Sequence, residues 1–209
     1  MNKEKQGWLC ITMNIDNQQG YLELFIGPMF SGKTTHLIQC YKQYHYIGKK
    51  VCVINYKDDT RYHDSMLSTH DKMMIPCIQT HSIRGVMDKA LTAEVVLINE
   101  GQFFNDLYDC VLEMVERYNI KVYISALDGD FKREKFGAIL DLIPYCDKVS
   151  KLNALCSTCK NGTKALFSHR VSSENEQIVI GADNYIPLCR SCYQNANISQ
   201  NVACGVFES

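Results

Sequence analysis

Gly27-Pro28-Met29-Phe30-Ser31-Gly32-Lys33-Thr34 fills every fixed position of the phosphate-binding pattern G-x-x-x-x-G-K-[ST]. The apolar run Leu22-Glu23-Leu24-Phe25-Ile26 before it reads as a buried strand, and Thr35 to Tyr41 after it can continue as a helix. Strand, glycine loop and helix form the context this pattern requires. The glycines let backbone N–H groups close around phosphate oxygens, and the helix N-terminus adds positive potential. Lys33 then reaches the β- and γ-phosphates, and the Thr34 hydroxyl ligates Mg²⁺. A glycine turn with no ligand is the bland alternative, and the flanking elements weigh against it. The spacing predicts a nucleoside triphosphate site.

Outward from the loop, Lys50 to Ile54 reads as a second strand and ends in the polar stretch Lys57-Asp58-Asp59-Thr60-Arg61-Tyr62. Ser82 is a suitable N-cap for a helix through Val86, Ala90 and Leu91. Glu94 to Ile98 is a third strand, a continuous apolar run of the kind parallel sheets bury on both faces. From Asp106 to Tyr118, helical spacing puts Leu107, Cys110, Val111, Met114 and Val115 on one face, and Ile120 to Ala126 is a fourth strand. This alternation implies a parallel α/β sheet with right-handed crossovers. The pattern stops near Lys151. We therefore expect an α/β nucleotide-binding domain over residues 21–150 and a small four-cysteine β domain over 151–209. Residues 1–20, polar and holding Trp8, read as a flexible tail.

The chain has 209 residues, which suits one domain with an appendage or two small ones. Its net charge of −1 supplies no global basic field, which argues against a non-specific nucleic-acid binder. No apolar run approaches the roughly 18–20 residues that span a bilayer. The first twenty residues lack the charged and apolar regions of a secretory signal. Eleven cysteines, an odd count without such a signal, point to a reducing compartment. Cys40, Cys52, Cys77, Cys110 and Cys146 sit among apolar neighbours and read as small core fillers, while Cys10 and Cys204 near the ends say little.

Two features carry chemistry beyond the loop. Phosphoryl-transfer proteins of this type place an Asp at the end of a neighbouring apolar strand to hold the Mg²⁺ shell. Here that position is Asn99, and the carboxylate follows at Glu100, in Asn99-Glu100-Gly101-Gln102-Phe103-Phe104. An amide oxygen accepts hydrogen bonds but brings no charge. Glu100, at the carboxyl edge of a parallel sheet, is a candidate base; a solvated turn-capping acid is the plainer reading. On periodicity, at least one of Phe103 and Phe104 belongs to the core. Second, Cys156-Ser157-Thr158-Cys159 and Cys189-Arg190-Ser191-Cys192 present two thiolates each across the 29 residues 160–188. Four thiolates complete a tetrahedral Zn²⁺ site with no open position, so the metal is structural and pins the intervening loop. Redox knuckles are the alternative.

Taken together, the chain resembles the cellular-type (type II) thymidine kinases from Tyr21 to Tyr193. The resemblance rests on the phosphate loop, Asp59-Thr60-Arg61-Tyr62, Thr69-His70-Asp71, Glu100-Gly101-Gln102-Phe103-Phe104 and Ala126-Leu127-Asp128-Gly129 with Phe131. Phe136-Gly137-Ala138-Ile139-Leu140, the cysteine pairs and Gly181-Ala182-Asp183-Asn184-Tyr185 complete it. It implies transfer of the ATP γ-phosphate to the 5′-hydroxyl of thymidine or deoxyuridine, with Glu100 as general base. It places residues 27–34, Asp59, Thr60, Arg61, Asn99, Gly101 and Gln102 around ATP and Mg²⁺. Met29, Phe103, Leu127, Phe131 and Phe136 line the nucleoside pocket. The zinc-held segment resembles the family's lasso, in which Ser168, Glu176, Gln177, Ile178, Val179, Ile180 and Tyr185 close over base and sugar. The resemblance also implies a cytoplasmic homotetramer under dTTP feedback, with neither membrane nor nucleic-acid partners. Asn99 stands where the family frequently has Asp, Ser168 where it has threonine, and Ile180 where it often has glycine. The competing class is an ATPase whose zinc ribbon grips nucleic acid. That reading wants a basic stripe, whereas residues 160–177 mix Lys160, Lys164, His169 and Arg170 with Glu174 and Glu176.

Overall fold

The computed structural model describes residues 19–58, 66–68, 73–172, 176–177 and 184–203, the side chains of 199–203 excepted. Asp59, Thr60, Arg61, Ile178, Val179, Ile180 and most of the polar N-terminal stretch lie outside the described residues.

Strand β1 (Tyr21–Ile26) leads through the glycine loop into helix α1 (Lys33–Tyr46) and then β2 (Val51–Tyr56). A short antiparallel pair, β3 (Met66–Ser68) and β4 (Met74–Pro76), precedes β5 (Ile78–Thr80). A 3₁₀ turn at Arg84–Val86 runs into the four-residue helix α2 (Met87–Ala90), followed by β6 (Val95–Asn99). Helix α3 (Leu107–Leu112) continues as a π turn (Glu113–Arg117) before β7 (Lys121–Ala126), and a 3₁₀ segment (Ile139–Tyr145) leads to β8 (Lys148–Lys151). The sheet has six strands in the order β5-β2-β6-β7-β1-β8, and every pairing is parallel.

Alternate residues of the central strands feed two cores, one on each face of the sheet. Leu22, Leu24, Ile54, Val96, Ile98, Val122 and Ile124 pack against Leu107, Cys110 and Val111 of α3 and Met114 of the π turn. Phe25, Val53, Val95, Leu97 and Tyr123 meet Leu37 and Ile38 of α1 and Leu67 and Ile75 of the small hairpin. All five residues of β6 are buried, as its unbroken apolar run requires.

The four strands read from the sequence form the middle of this sheet. The two edge strands, β5 and β8, were not foreseen: one spans three residues, and the other is largely exposed and polar, so neither carries a hydrophobic signature. The helix expected from Ser82 is reduced to a 3₁₀ turn and one α turn. Ser82 still caps it, its Oγ accepting the Gly85 N–H at 3.3 Å. Of the cysteines read as core fillers, Cys52 and Cys110 are buried, while Cys40, Cys77 and Cys146 are half-buried.

Beyond β8, β9 (Ala154–Leu155) pairs with β10 (Lys164–Ala165) and β11 (Phe167–Arg170) with β12 (Tyr185–Leu188), both antiparallel, and helix α4 (Arg190–Ala203) follows. These elements enclose a separate small core of Ala154, Cys156, Ala165, Leu188, Cys189 and Tyr193.

Candidate active site

The glycine loop turns at the carboxyl end of β1 because two positions demand it. A Cβ on Gly27 (φ 145°) would sit 2.3 Å from the Leu152 carbonyl oxygen, and Gly32 holds φ 82° at the start of α1. Within the loop, Lys33 Nζ and Ser31 Oγ both donate to the Pro28 carbonyl at 2.7 Å. Lys33 is buried while Phe30 is 42% exposed, so the cation faces inward and the ring outward. From the four-cysteine part, Ser168 Oγ accepts the Met29 N–H at 2.9 Å. A ligand phosphate needs the Lys33 ammonium, which exchanges a carbonyl for a charged oxygen and gains a stronger bond.

The acidic turn follows β6, separated from β1 by β7 alone. Asn99 is fully buried, and its Oδ1 accepts the Thr34 hydroxyl at 3.3 Å and the Ser125 hydroxyl at 2.8 Å. The loop threonine and the strand-end amide therefore touch. Glu100 adopts the left-handed conformation (φ 55°). Gln102, 3% exposed, donates Nε2 to Glu100 Oε2 at 2.6 Å and accepts the Leu127 N–H at 3.0 Å. Both ends of this amide thus orient neighbours, Glu100 on one side and the strand-end loop at Leu127 on the other. Gly101 packs against Ile124, whose Cγ2 would lie 2.7 Å from an added Cβ. Gly137 (φ 62°) presses on Gln102 itself, with only 2.2 Å between an added Cβ and the Gln102 carbonyl oxygen.

Aromatic residues surround the turn. Phe104 is a core residue, while the half-buried Phe103 packs between Tyr56 (5.0 Å between ring centroids) and Phe136 (5.4 Å). Phe131 lies elsewhere, under the Arg170 guanidinium at 3.8 Å. Arg170, 2% exposed, donates to the carbonyls of Glu176 and Gln177 and to the Tyr185 hydroxyl. Gln177 Nε2 in turn donates to Asp130 Oδ2 at 2.8 Å. Both ends of the segment expected to close over a nucleoside are thereby tied to Arg170. Beside it on β11, burial pushes the His169 imidazole below its ordinary pKa.

The four cysteines converge. Their sulfurs all lie within 4.8 Å of one another, with Cys159 to Cys189 at 3.8 Å and Cys159 to Cys192 at 3.5 Å. Zn–S bonds of about 2.3 Å at tetrahedral angles place sulfurs about 3.8 Å apart, so the set fits a zinc ion, while disulfides need about 2.05 Å. The backbone N–H of Cys189 also donates to Cys156 Sγ at 3.3 Å, as thiolate ligands favour.

Several site residues lie outside any recognisable motif. Arg170 and Asp130 follow no short motif. Asn55, Gln79 and Ser125 do carry one signal: each is a polar residue at or near the carboxyl end of a strand beside the loops.

Comparison with known proteins bears on the whole arrangement. The thymidine kinase family matches residues 20–193. The thymidine kinase of Sheeppox virus (strain KS-1) is 42% identical over 175 residues, 83% of this chain and 97% of that protein. Thymidine kinase 1 of Dictyostelium discoideum is 38% identical, covering 84% of this chain and 78% of its own. The cytosolic thymidine kinase of Homo sapiens is also 38% identical, over 84% and 74%. The match takes in phosphate loop, acidic turn and both cysteine pairs at once, and this chain belongs to the thymidine kinase family.

Proposed function

We propose that the chain phosphorylates thymidine, moving the γ-phosphoryl group of ATP to the 5′-hydroxyl to give dTMP and ADP. One observation carries this reading. Thr34 of the phosphate loop bonds directly to Asn99, so a candidate base, Glu100, follows one residue beyond a contact with the nucleotide loop. Ligands of parallel α/β sheets bind at this carboxyl edge.

In the reaction, the 5′-oxygen bonds to the γ-phosphorus, the bond from that phosphorus to the β–γ bridging oxygen breaks, and the 5′-hydroxyl proton passes to the Glu100 carboxylate. Gln102 holds that carboxylate in place through its 2.6 Å bond. Lys33 and the loop N–H groups offset charge on the phosphates. Thr34, with Asn99 behind it, would hold the Mg²⁺ of the nucleotide, which neutralises phosphate charge. Asp59, Thr60 and Arg61 belong to the same end by resemblance. Phe103, Phe136, Leu127 and Met29 form the nucleoside side, and Phe131, under Arg170, joins Ser168, Glu176 to Ile180 and Tyr185 on the side of the closing segment. Cys156, Cys159, Cys189 and Cys192 would hold zinc, which fixes that segment's ends.

The likeness to a kinase named cytosolic supports a cytoplasmic location. Among the described residues no helix is long and apolar enough to cross a membrane. A homotetramer and dTTP feedback complete the proposal.

The test is ATP turnover with thymidine against ATP turnover with single-stranded DNA. Thymidine-dependent turnover is expected, and Glu100→Gln lowers its kcat by about 10²–10⁴-fold with ATP affinity kept. DNA-dependent turnover without nucleoside phosphorylation refutes the kinase reading.

A further inference from the structure

A row of polar side chains crosses four strands at the carboxyl edge of the sheet. Gln79, Asn55, Asn99 and Ser125 are register partners on β5, β2, β6 and β7. Ser125 Oγ donates to Asn99 Oδ1 at 2.8 Å, Asn99 Nδ2 to Asn55 Oδ1 at 2.8 Å, and Asn55 Nδ2 to Gln79 Oε1 at 3.2 Å. Gln79 Nε2 ends the row on Cys77 Sγ at 3.6 Å. Every bond points the same way. Asn99 and Asn55 are 0% and 1% exposed, so water cannot substitute for a partner that turns away.

The direction matters at Thr34. Its hydroxyl has one hydrogen and two lone pairs, and the hydrogen goes to Asn99 Oδ1 at 3.3 Å. The lone pairs therefore suit a hard cation, which takes oxygen ligands. Were Asn99 to turn its amide over, its NH₂ would donate to Thr34 and occupy one of those lone pairs. Asn55 opposes that turn: a reversed Asn99 would set its carbonyl against the Asn55 carbonyl in a buried site.

We propose that Asn55, backed by Gln79, is a positioning residue for the nucleotide loop, locking Asn99 with its oxygen on Thr34 so that the threonine lone pairs serve the cation of the nucleotide. The inference rests on the reading that this loop binds ATP with Mg²⁺, and it adds residues that contact neither substrate.

Calorimetry on the full chain separates the two ideas. ATP affinity is measured with excess Mg²⁺ and in magnesium-free buffer, and the ratio is the gain from the metal. Asn55→Leu is expected to cut that gain about tenfold while metal-free ATP affinity and thymidine affinity stay at wild-type values. Gln79→Met, at a half-buried edge position, cuts the gain about threefold and stands in should Asn55→Leu not fold. A wild-type gain in Asn55→Leu or, in its place, Gln79→Met overturns the proposal. So does an equal loss of metal-free ATP and thymidine affinity. A wild-type chain that binds no ATP in either buffer overturns the kinase reading and this inference with it.

Discussion

Gln102→Met isolates the support of the candidate base, since methionine matches glutamine in length but offers neither end of the amide. Two bonds disappear: the 2.6 Å donation to Glu100 and the 3.0 Å acceptance from Leu127 N–H. The first is charge-assisted and worth about 1.5–3 kcal/mol. Glu100 sits at φ 55°, a conformation that costs a non-glycine residue about 1–2 kcal/mol. If the whole bond is withdrawn from the transition state, at about 1.4 kcal/mol per tenfold, kcat falls about 10- to 150-fold. The orphaned Leu127 N–H costs about 1–3 kcal/mol of stability, which lowers Tm by about 2–12 °C in a chain of this size. KM for ATP should hardly move, because Gln102 bonds to no residue of the phosphate loop. Steady-state kinetics beside a melting curve reads all three quantities. Gln102→Glu is the sharper control, placing a second carboxylate where the amide nitrogen met Glu100. A Gln102→Met enzyme with the expected loss of Tm but kcat within threefold of wild type would show that the amide serves the fold alone.

Metal chelation, or Cys156→Ser, should raise KM for thymidine more than KM for ATP, because the cysteines anchor the strands bearing Arg170 and Tyr185; equal changes in both would refute this. Deoxycytidine should be rejected, since its exocyclic amine places a donor where thymine offers an acceptor and leaves buried groups unpaired; equal kcat/KM for the two nucleosides would count against a segment that closes over the base. His169, lowered by burial, takes up a proton more readily in the unfolded chain than in the folded one. Its contribution to stability is therefore present above about pH 6.5 and is lost as pH falls below that value. His169→Gln should flatten the fall in Tm between pH 7 and 5, and an unchanged slope would assign the acid sensitivity to other groups.

The sheet was legible where strands are long and apolar. β1, β2, β6 and β7 announce themselves because both faces are buried, whereas β5 and β8 lie at the edges and are held by pairing that leaves no hydrophobic pattern. The phosphate loop and cysteine pairs were legible because their chemistry fixes residue type and spacing locally. The resemblance puts Gln102 at the nucleotide end, whereas its contact with Leu127 emerges only when chain segments 25 residues apart meet. Arg170 is the extreme case. Its meaning depends on Phe131, Glu176, Gln177 and Tyr185 converging on it, and none of these is at a fixed offset that sequence alone could flag.

Strand β11 touches both ends of the site. Ser168 holds the Met29 N–H in the phosphate loop, and two residues along, on the same face, Arg170 carries the carbonyls of Glu176 and Gln177. If, as proposed, the loop takes ATP and the segment tied to Arg170 takes the nucleoside, a strand in contact with both couples their occupancies, and that coupling is reciprocal. Whatever factor a nucleotide in the loop imposes on affinity for the nucleoside, the nucleoside returns in full on affinity for the nucleotide. Order of addition then alters the route to the ternary complex and leaves its free energy untouched.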